Sequence, residues 1–215
     1  MKQLSAIIIF VLYWLSGLSQ NEPFERILNN KVIIDSGVYR NFAKYDIGDF
    51  IVYNGMHENN LKFQIINKKT SKIIYSYYDT LSDAMILKPV FFNNIGSNYL
   101  IIMLEVAAEY SWGQELILII NGKVFHPGYL NYARVEENGT SIANHSHFIR
   151  NKNLILLTFD DVPLVNWDNE KVVIPGSTIR FEITEKQINK IQITPYNEPS
   201  TVKRGDSVSD PSPNL

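Results

Sequence analysis

Aromatic, amide and acidic side chains are concentrated in the segment Glu109–Glu115. Tyr110 and Trp112 offer ring faces that stack on the apolar surfaces of sugars or peptides, while Gln114 and Glu115 can exchange hydrogen bonds with hydroxyl or amide groups. Apolar segments flank this stretch, so we expect a loop between two buried strands. The sequence predicts that these four side chains bind a ligand. The alternative is that both rings cap the core at a strand end and that Gly113 makes the turn.

The two histidines His145 and His147 have a spacing typical of metal ligands. On a strand, residues i and i+2 share a face, so both imidazoles can reach one ion, with Asp160 from a following strand as the third ligand. The sequence therefore predicts a metal site at these three residues. The alternative is that the histidines lie in a loop and that Asp160-Asp161 belongs to the turn before Pro163, where aspartate is common.

Glu105 with Glu115 or Asp160 offers a carboxylate pair for catalysis, because glycosidases use two such groups as acid and base. The other catalytic signatures are missing from the sequence: it has no Gly-x-Ser-x-Gly elbow, phosphate loop, His-Glu-x-x-His or EF-hand pattern. We interpret His126, predicted opposite Ile117, as a hydrogen-bonded histidine of the core or its edge rather than a base. These observations favour a non-catalytic protein, with a secreted glycan-acting hydrolase as the alternative.

Composition excludes several classes of function. The 215 residues are 45% hydrophobic and 20% charged, which is typical of a folded globular domain. The formal net charge of −2 leaves no basic surface of the kind that nucleic acid requires, so we expect no nucleic-acid partner. Cysteine is absent, which removes disulfides, thiolate metal ligands and a cysteine nucleophile. No cofactor is expected.

The first nineteen residues have the pattern of a signal peptide. Lys2 supplies the positive charge, Ala6–Leu15 is apolar, and Gly17–Ser19 matches a small-x-small cleavage site. The apolar run is shorter than the ~20 residues that span a bilayer, so no stable membrane span is expected. We predict that residues 1–19 are removed and that the protein is secreted, periplasmic or on the cell surface; a retained N-terminal anchor is the alternative. The abundance of Ile, Asn, Lys and Tyr suggests a bacterial source.

The strongest folding signal is Asn121-Gly122, because a type I′ hairpin turn needs positive φ at both central residues. The turn predicts the pairs Ile120 with Lys123, Ile119 with Val124, Leu118 with Phe125 and Ile117 with His126. Both faces of this hairpin are mainly apolar, which predicts that it is covered on both sides. A third strand, Leu100–Ala108, is predicted to precede it.

The remaining chain is predicted to be one all-β domain, residues 30–194, of about eleven strands. Its regular hairpin turns indicate an antiparallel sandwich or a barrel-like meander, with propeller-like blades as an alternative. Residues 20–29 form an N-terminal segment that can hold a short helix, with Asn21 as N-cap and Pro23 in the first turn. Residues 195–215, rich in Pro, Ser and Asp, are predicted to be a disordered tail.

Two residues predict local irregularities. Pro89 cannot donate to a sheet, so its strand is expected at an edge or at a bulge. Ile188 is out of step with Ile191 and Ile193, which predicts a bulge or a longer turn there.

From these patterns we expect an exported, non-catalytic module that binds a partner, protein or glycan, through loops at one end of its sheets. A structural component of the cell envelope is a further alternative.

Overall fold

The computed structural model describes residues 21–28, 31–36, 39–57, 60–79, 86–94, 97–107, 111–134, 141–152, 154–160, 162–166, 168, 171–173 and 179–193. The predicted signal peptide (1–19) and the predicted disordered tail (195–215) lie outside these residues.

Strands dominate the described residues, which also contain one short 3-10 helix, Ile142–His145. The seventeen strands are β1 (Glu22–Arg26), β2 (Lys31–Ser36), β3 (Tyr39–Ile47), β4 (Phe50–His57), β5 (Asn60–Asn67), β6 (Lys72–Asp79), β7 (Ile86–Asn94), β8 (Tyr99–Ala107), β9 (Ser111–Ile120), β10 (Lys123–Leu130), β11 (Tyr132–Arg134), β12 (Ser146–Asn151), β13 (Leu154–Phe159), β14 (Leu164–Asn166), β15 (Lys171–Val173), β16 (Ile179–Ile183) and β17 (Ile188–Ile193). No helix long and apolar enough to cross a membrane occurs in this part of the chain.

The strands form three antiparallel sheets. The largest has the order β10-β9-β8-β7-β1-β12-β13-β16-β17, the second β2-β3-β4-β5-β6 and the smallest β11-β14-β15. The edge strands β10 and β17 approach each other: the Cδ1 atom of Ile188 lies 3.8 Å from the position that a Cβ on Gly128 would occupy. The nine-stranded sheet is therefore a nearly closed barrel. The predicted all-β, antiparallel, barrel-like fold is confirmed, and the sheet order is not that of propeller blades.

The central hairpin β9–β10 and its neighbour β8 are covered on both faces, as predicted. Leu116, Leu118 and Ile120 point into the barrel core, whereas Ile117 and Ile119 point into a second core that lies between the barrel wall and the five-stranded sheet. All five are at most 9% exposed. The five-stranded sheet thus stacks on the outside of the barrel wall. Because successive side chains of a strand point to opposite faces, β9 contributes side chains to both cores.

The Asn121-Gly122 turn has the predicted backbone, with φ of 51° and 78°. The predicted pairs from Ile120–Lys123 to Leu118–Phe125 are all present. The pair between Ile117 and His126 is wrong, because the register shifts by a bulge between Phe125 and Gly128. The bulge contains Pro127, which has no N–H to donate to the neighbouring strand.

The predicted N-terminal helix is also wrong in the described residues. Glu22–Arg26 forms strand β1, which pairs with β12 on one side and with β7 on the other. Its burial alternates around Phe24, which packs in the barrel core, while Leu28 is 86% exposed. A helix would leave a gap in the barrel between β7 and β12, so pairing with distant strands overrides the local capping signal.

The bulge predicted near Ile188 is confirmed, whereas Pro89 lies on a strand that is interior in the sheet, and only the flank of that strand at the proline is open. Strand β7 pairs with β8 along its length but with β1 only from Phe92 onward, so Pro89 has one neighbouring strand in the described residues. Arg180 pairs with Gln192 and Phe181 with Lys190, which leaves Ile191 as the extra residue of a bulge. The seventeen strands of the described residues exceed the predicted number of about eleven.

Replacing Asn54 with alanine is expected to lower the free energy of unfolding by about 1–2 kcal/mol. The buried amide of Asn54 donates to the main-chain oxygen of Leu87 at 2.6 Å and so connects the five-stranded sheet to the open flank of β7. Urea unfolding monitored by far-ultraviolet circular dichroism measures the change. Asn93→Ala, which removes an exposed amide of β7, is the control and should match the wild type. Equal midpoints for both variants would contradict this role.

Candidate functional site

The predicted binding loop Glu109–Glu115 is largely strand. Strand β9 begins at Ser111, which pairs with Ala107; Gln114 and Glu115 belong to the ladder, and Trp112 is the extra residue of a bulge between the pairs of Ser111 and Gly113. Tyr110 and the side chain of Trp112 lie outside the described residues. Gln114 is fully buried on the barrel side of the sheet, and Glu115 projects from the opposite face. Because neighbouring residues of a strand point to opposite faces, Gln114 and Glu115 do not face one ligand.

Glu115 belongs instead to a polar cluster where β6 meets β9 and β10. Its Oε1 atom lies 2.6 Å from Nε2 of His126, whose ring stacks on Tyr75 with centroids 6.3 Å apart. Burial, together with the charge of Glu115, raises the pKa of Tyr75 and of Tyr129 to about 12. His126 is therefore hydrogen-bonded at the edge of the inter-sheet core, as its sequence context suggested. Both tyrosines stay neutral at physiological pH.

The carboxylate pair proposed for hydrolysis is divided by the sheet. Glu105 pairs with Gln114 and Leu104 with Glu115, so Glu105 and Glu115 project from opposite faces. Glu105 is 6% exposed, and its Oε2 atom has no hydrogen-bond partner; the same holds for both polar atoms of Gln114. These two side chains form a polar layer at one end of the barrel core. The two glutamates do not share a substrate-binding face.

The structure does bring His145, His147 and Asp160 together. His145 ends the 3-10 helix and His147 lies on β12, while Asp160 follows β13. Nε2 of His147 lies 2.6 Å from Oδ1 of Asp160, and Nδ1 of His145 lies 3.4 Å from Oδ2. The carboxylate thus contacts both imidazoles, each through a different oxygen.

This arrangement is a cluster in which one carboxylate is hydrogen-bonded to two imidazoles. Among the described residues, no three His, Asp or Glu side chains are arranged to hold a metal ion. The hydrogen bond from His147 holds the pKa of Asp160 below its usual value of 3.8, and the contact with His145 acts in the same direction. The metal site stays a prediction from the sequence.

The lowered pKa of Asp160 predicts a loss of stability in acid. A carboxyl group with a lowered folded-state pKa stabilises the fold above its unfolded pKa and loses this contribution as the pH falls through the folded pKa. The Asp160 side chain is 49% exposed, so the effect should be below about 1 kcal/mol. Urea unfolding of the wild type and Asp160→Asn should differ above pH 4 and converge toward pH 2. A difference that persists unchanged at pH 2 would contradict this.

The end of the sheets opposite His145 and Asp160 carries the hairpin turns, and we call it the turn end. It contains the turns that follow β3, β5, β7, β9, β12 and β16, because consecutive antiparallel strands bring these connections to one side. Trp112 lies near the start of β9 and Asn121 directly follows its last residue, so the two are about 30 Å apart at ~3.3 Å per residue. The turn end therefore lies far from the predicted binding loop.

The inter-sheet cleft lies at the turn end, between the five-stranded sheet and the barrel wall, and has a volume of ≈ 490 Å³. Four asparagines line it: Asn67, Asn93, Asn98 and Asn121. Ser97 and the ion pair between Lys69 and Asp49, 2.7 Å apart, add polar groups, and Phe50 adds an aromatic ring. The cleft combines side-chain amides, which can both donate and accept hydrogen bonds, with an aromatic surface.

A second cleft of ≈ 490 Å³, the barrel-mouth cleft, opens beside it. Its walls include Leu118, Ile155 and Ile183 of the barrel core, and its rim includes Lys152 and Lys186. Tyr99 lines both clefts, so they adjoin each other. None of the site residues predicted from the sequence lines either cleft.

Arg150 fixes the boundary between the two clefts. Its guanidinium carbon lies 4.2 Å from the centroid of the Tyr99 ring. Its Nε donates to the main-chain oxygen of Lys152 at 3.2 Å, and its Nη1 donates to Oε2 of Glu22 at 3.1 Å. A cation over a ring face attracts it electrostatically. Arg150 therefore holds both the shared tyrosine and the turn that carries Lys152.

Asn67 and Asn121 were not predicted as site residues because each one, taken alone, looks like an ordinary turn residue. Asn67 accepts main-chain hydrogen bonds from Lys69 and Thr70, and Asn121 occupies the type I′ turn. Only the turns taken together indicate that these residues lie at one end of the molecule, because successive hairpins in one sheet place alternate turns on the same side. Tyr99 and Arg150 carry no local signal, because β7 and β1 lie between their strands in the sheet.

No protein-family model matches this chain, and no curated protein or solved structure to which it was compared matches it.

Proposed function

We propose that this protein is an exported, non-catalytic module that binds a glycan at its turn end. The observation that carries this proposal is the pair of adjoining clefts, each of ≈ 490 Å³, with Tyr99 in both. Each volume lies within the range of about 300–1,000 Å³ typical of ligand sites. An extended ligand could occupy both clefts by crossing Tyr99.

The residues of the inter-sheet cleft favour a glycan over an apolar ligand. Side-chain amides both donate and accept hydrogen bonds, which matches the paired capacity of sugar hydroxyls. Asn93, Asn98 and Asn121 are exposed, so their amides are accessible to a ligand. Asn93 is fixed by the pairing of β7 with β8, and the main-chain N–H of Asn121 donates to the main-chain oxygen of Asn98 at 3.1 Å, so an ordered backbone carries all three, which lowers the ordering cost of binding.

Export is supported by the sequence. The positive Lys2, the apolar Ala6–Leu15 and the small residues of Gly17–Ser19 together follow the order of a signal peptide. A chain without cysteine folds without disulfide chemistry in any compartment. N-terminal sequencing of the protein from its native source should give a first residue at or near Gln20; an N-terminus at Met1 would remove export from the proposal.

A glycan array probed with the exported protein tests the binding proposal. The wild type should retain a defined group of oligosaccharides, and Asn93→Ala should weaken retention about three- to tenfold, the effect of losing one or two hydrogen bonds. The matched control is Asn189→Ala, which removes an exposed asparagine of β17 that lines neither cleft. The absence of any retained glycan, or equal weakening by both variants, would count against binding at this cleft.

A further inference from the structure

We infer that the bound glycan carries an acidic group, such as a carboxylate, sulfate or phosphate, and that the barrel-mouth cleft receives this group beside Lys152 and Lys186. The inference rests on the proposed function and names the class of glycan. It follows from the difference in charge between the two clefts.

The two lysines of the barrel mouth lie on turns that are fixed by other residues. Lys152 has a positive φ of 57°, a conformation that L residues other than Asn and Asp rarely adopt, and Arg150 binds its main-chain oxygen. Lys186 follows Thr184, whose Oγ1 accepts the main-chain N–H groups of Lys186 and Gln187, each at 3.3 Å. Both ammonium groups are thus carried on preorganised turns.

The charges around the barrel mouth favour an anion. Lys152 and Lys186 are exposed on its rim together with one acidic residue, Glu185. Arg150, beside the rim, is compensated by Glu22 at 3.1 Å. The rim therefore keeps one excess positive charge.

The inter-sheet cleft has no such excess. Its lysine, Lys69, pairs with Asp49 at 2.7 Å, so their charges cancel. The walls of the barrel mouth are apolar and nearly fully buried, with Ile155 at 3% and Ile183 at 0% exposure. Low-dielectric walls strengthen the attraction between a rim charge and a ligand charge. An acidic glycan should therefore place its uncharged units among the asparagines and its acid at the barrel mouth.

The test uses an array that holds each carboxylated, sulfated or phosphorylated oligosaccharide beside its uncharged parent. The wild type should retain the acidic member of a pair more strongly, and this preference should shrink as salt rises from 50 mM to 500 mM. Lys186→Gln should weaken retention of the acidic members about three- to tenfold, and Glu185→Gln should strengthen it. Both substituted side chains are exposed, so folding is unaffected.

Lys123→Gln is the matched control, because Lys123 is an exposed lysine at the turn end that lines neither cleft. It should leave the preference for acidic members unchanged. Equal retention of acidic and neutral members, or equal effects of Lys186→Gln and Lys123→Gln, would overturn the inference while leaving glycan binding intact. Retention of no glycan would overturn the proposed function itself.

Discussion

Replacing Gly113 with alanine is expected to lower the free energy of unfolding by about 3 kcal/mol, which corresponds to roughly 10 °C in melting temperature for a chain of this size. Gly113 has a φ of +145°, a conformation that strains a residue with a side chain. An added Cβ would also overlap the main-chain oxygen of Leu130 and lie 2.8 Å from the ring of Tyr129. Differential scanning calorimetry measures the shift.

The matched control is Gly48→Ala. Gly48 also has a positive φ, 53°, but no atom lies within 4 Å of the position of an added Cβ. This variant carries backbone strain alone and should lose only about 1 kcal/mol. If Gly113→Ala melts no lower than Gly48→Ala, then Tyr129 does not pack over β9 as described, and the register of β9 with β10 would need revision.

Replacing Tyr99 with alanine is expected to weaken glycan binding about thirtyfold, or ~2 kcal/mol. The substitution removes the ring that both clefts share and the partner of the Arg150 guanidinium, 4.2 Å from its centroid. Arg150 then loses one of the contacts that fix the turn of Lys152. Isothermal titration calorimetry with the tightest-binding glycan of the array gives the change in Kd.

Tyr99→Phe is the control, because it keeps the ring face that stacks and attracts the cation. It should bind within about threefold of the wild type, the loss of at most one hydrogen bond. Circular dichroism on both variants checks that the sheets are intact. Wild-type affinity in Tyr99→Ala would show that the ligand does not cross the boundary between the clefts.

Local signals predicted the parts of the fold that neighbouring residues determine. Asn121-Gly122 predicted a hairpin because few other residue pairs accept two positive φ angles, and the uninterrupted apolar run of β9 predicted burial on both faces. Pro89 predicted an open strand flank through its missing N–H. In each case the cause lies within a few residues of its effect.

The two predictions that failed, the N-terminal helix and the binding loop, failed because of how strands pair with one another. Glu22–Arg26 has the capping pattern of a helix, yet it completes the barrel between β7 and β12, which lie about 70 and 125 residues further along the chain. The predicted site at Gln114 and Glu115 assumed a loop, whereas the ladder between β8 and β9 continues to Ser111 and places the two side chains on opposite faces. The sheet order decides the first outcome and the length of the β8–β9 ladder decides the second, and a local pattern encodes neither.

The candidate sites show the same difference between contacts that are local in sequence and contacts that are distant. His145, His147 and Asp160 were brought together as the spacing indicated, because β12 and β13 are adjacent in sequence and in the sheet. The pairing of Tyr99 with Arg150 joins residues 51 positions apart. The inter-sheet cleft forms only when two sheets are stacked, and the barrel-mouth cleft only when the nine-stranded sheet curls round on itself. A single sequence contains no signal for such a contact.

The most direct test of the binding proposal is a map of backbone amide chemical shifts in the isotopically labelled exported protein during titration with the glycan that the array identifies. The account predicts that the largest shifts cluster at Ser97–Leu100, Asn121–Gly122 and Thr184–Gln187, which border the two clefts. The amides of Ser111–Gln114, about 30 Å away along β9, should stay unchanged. Shifts concentrated at Ser111–Gln114, with the hairpin turns unaffected, would contradict the account.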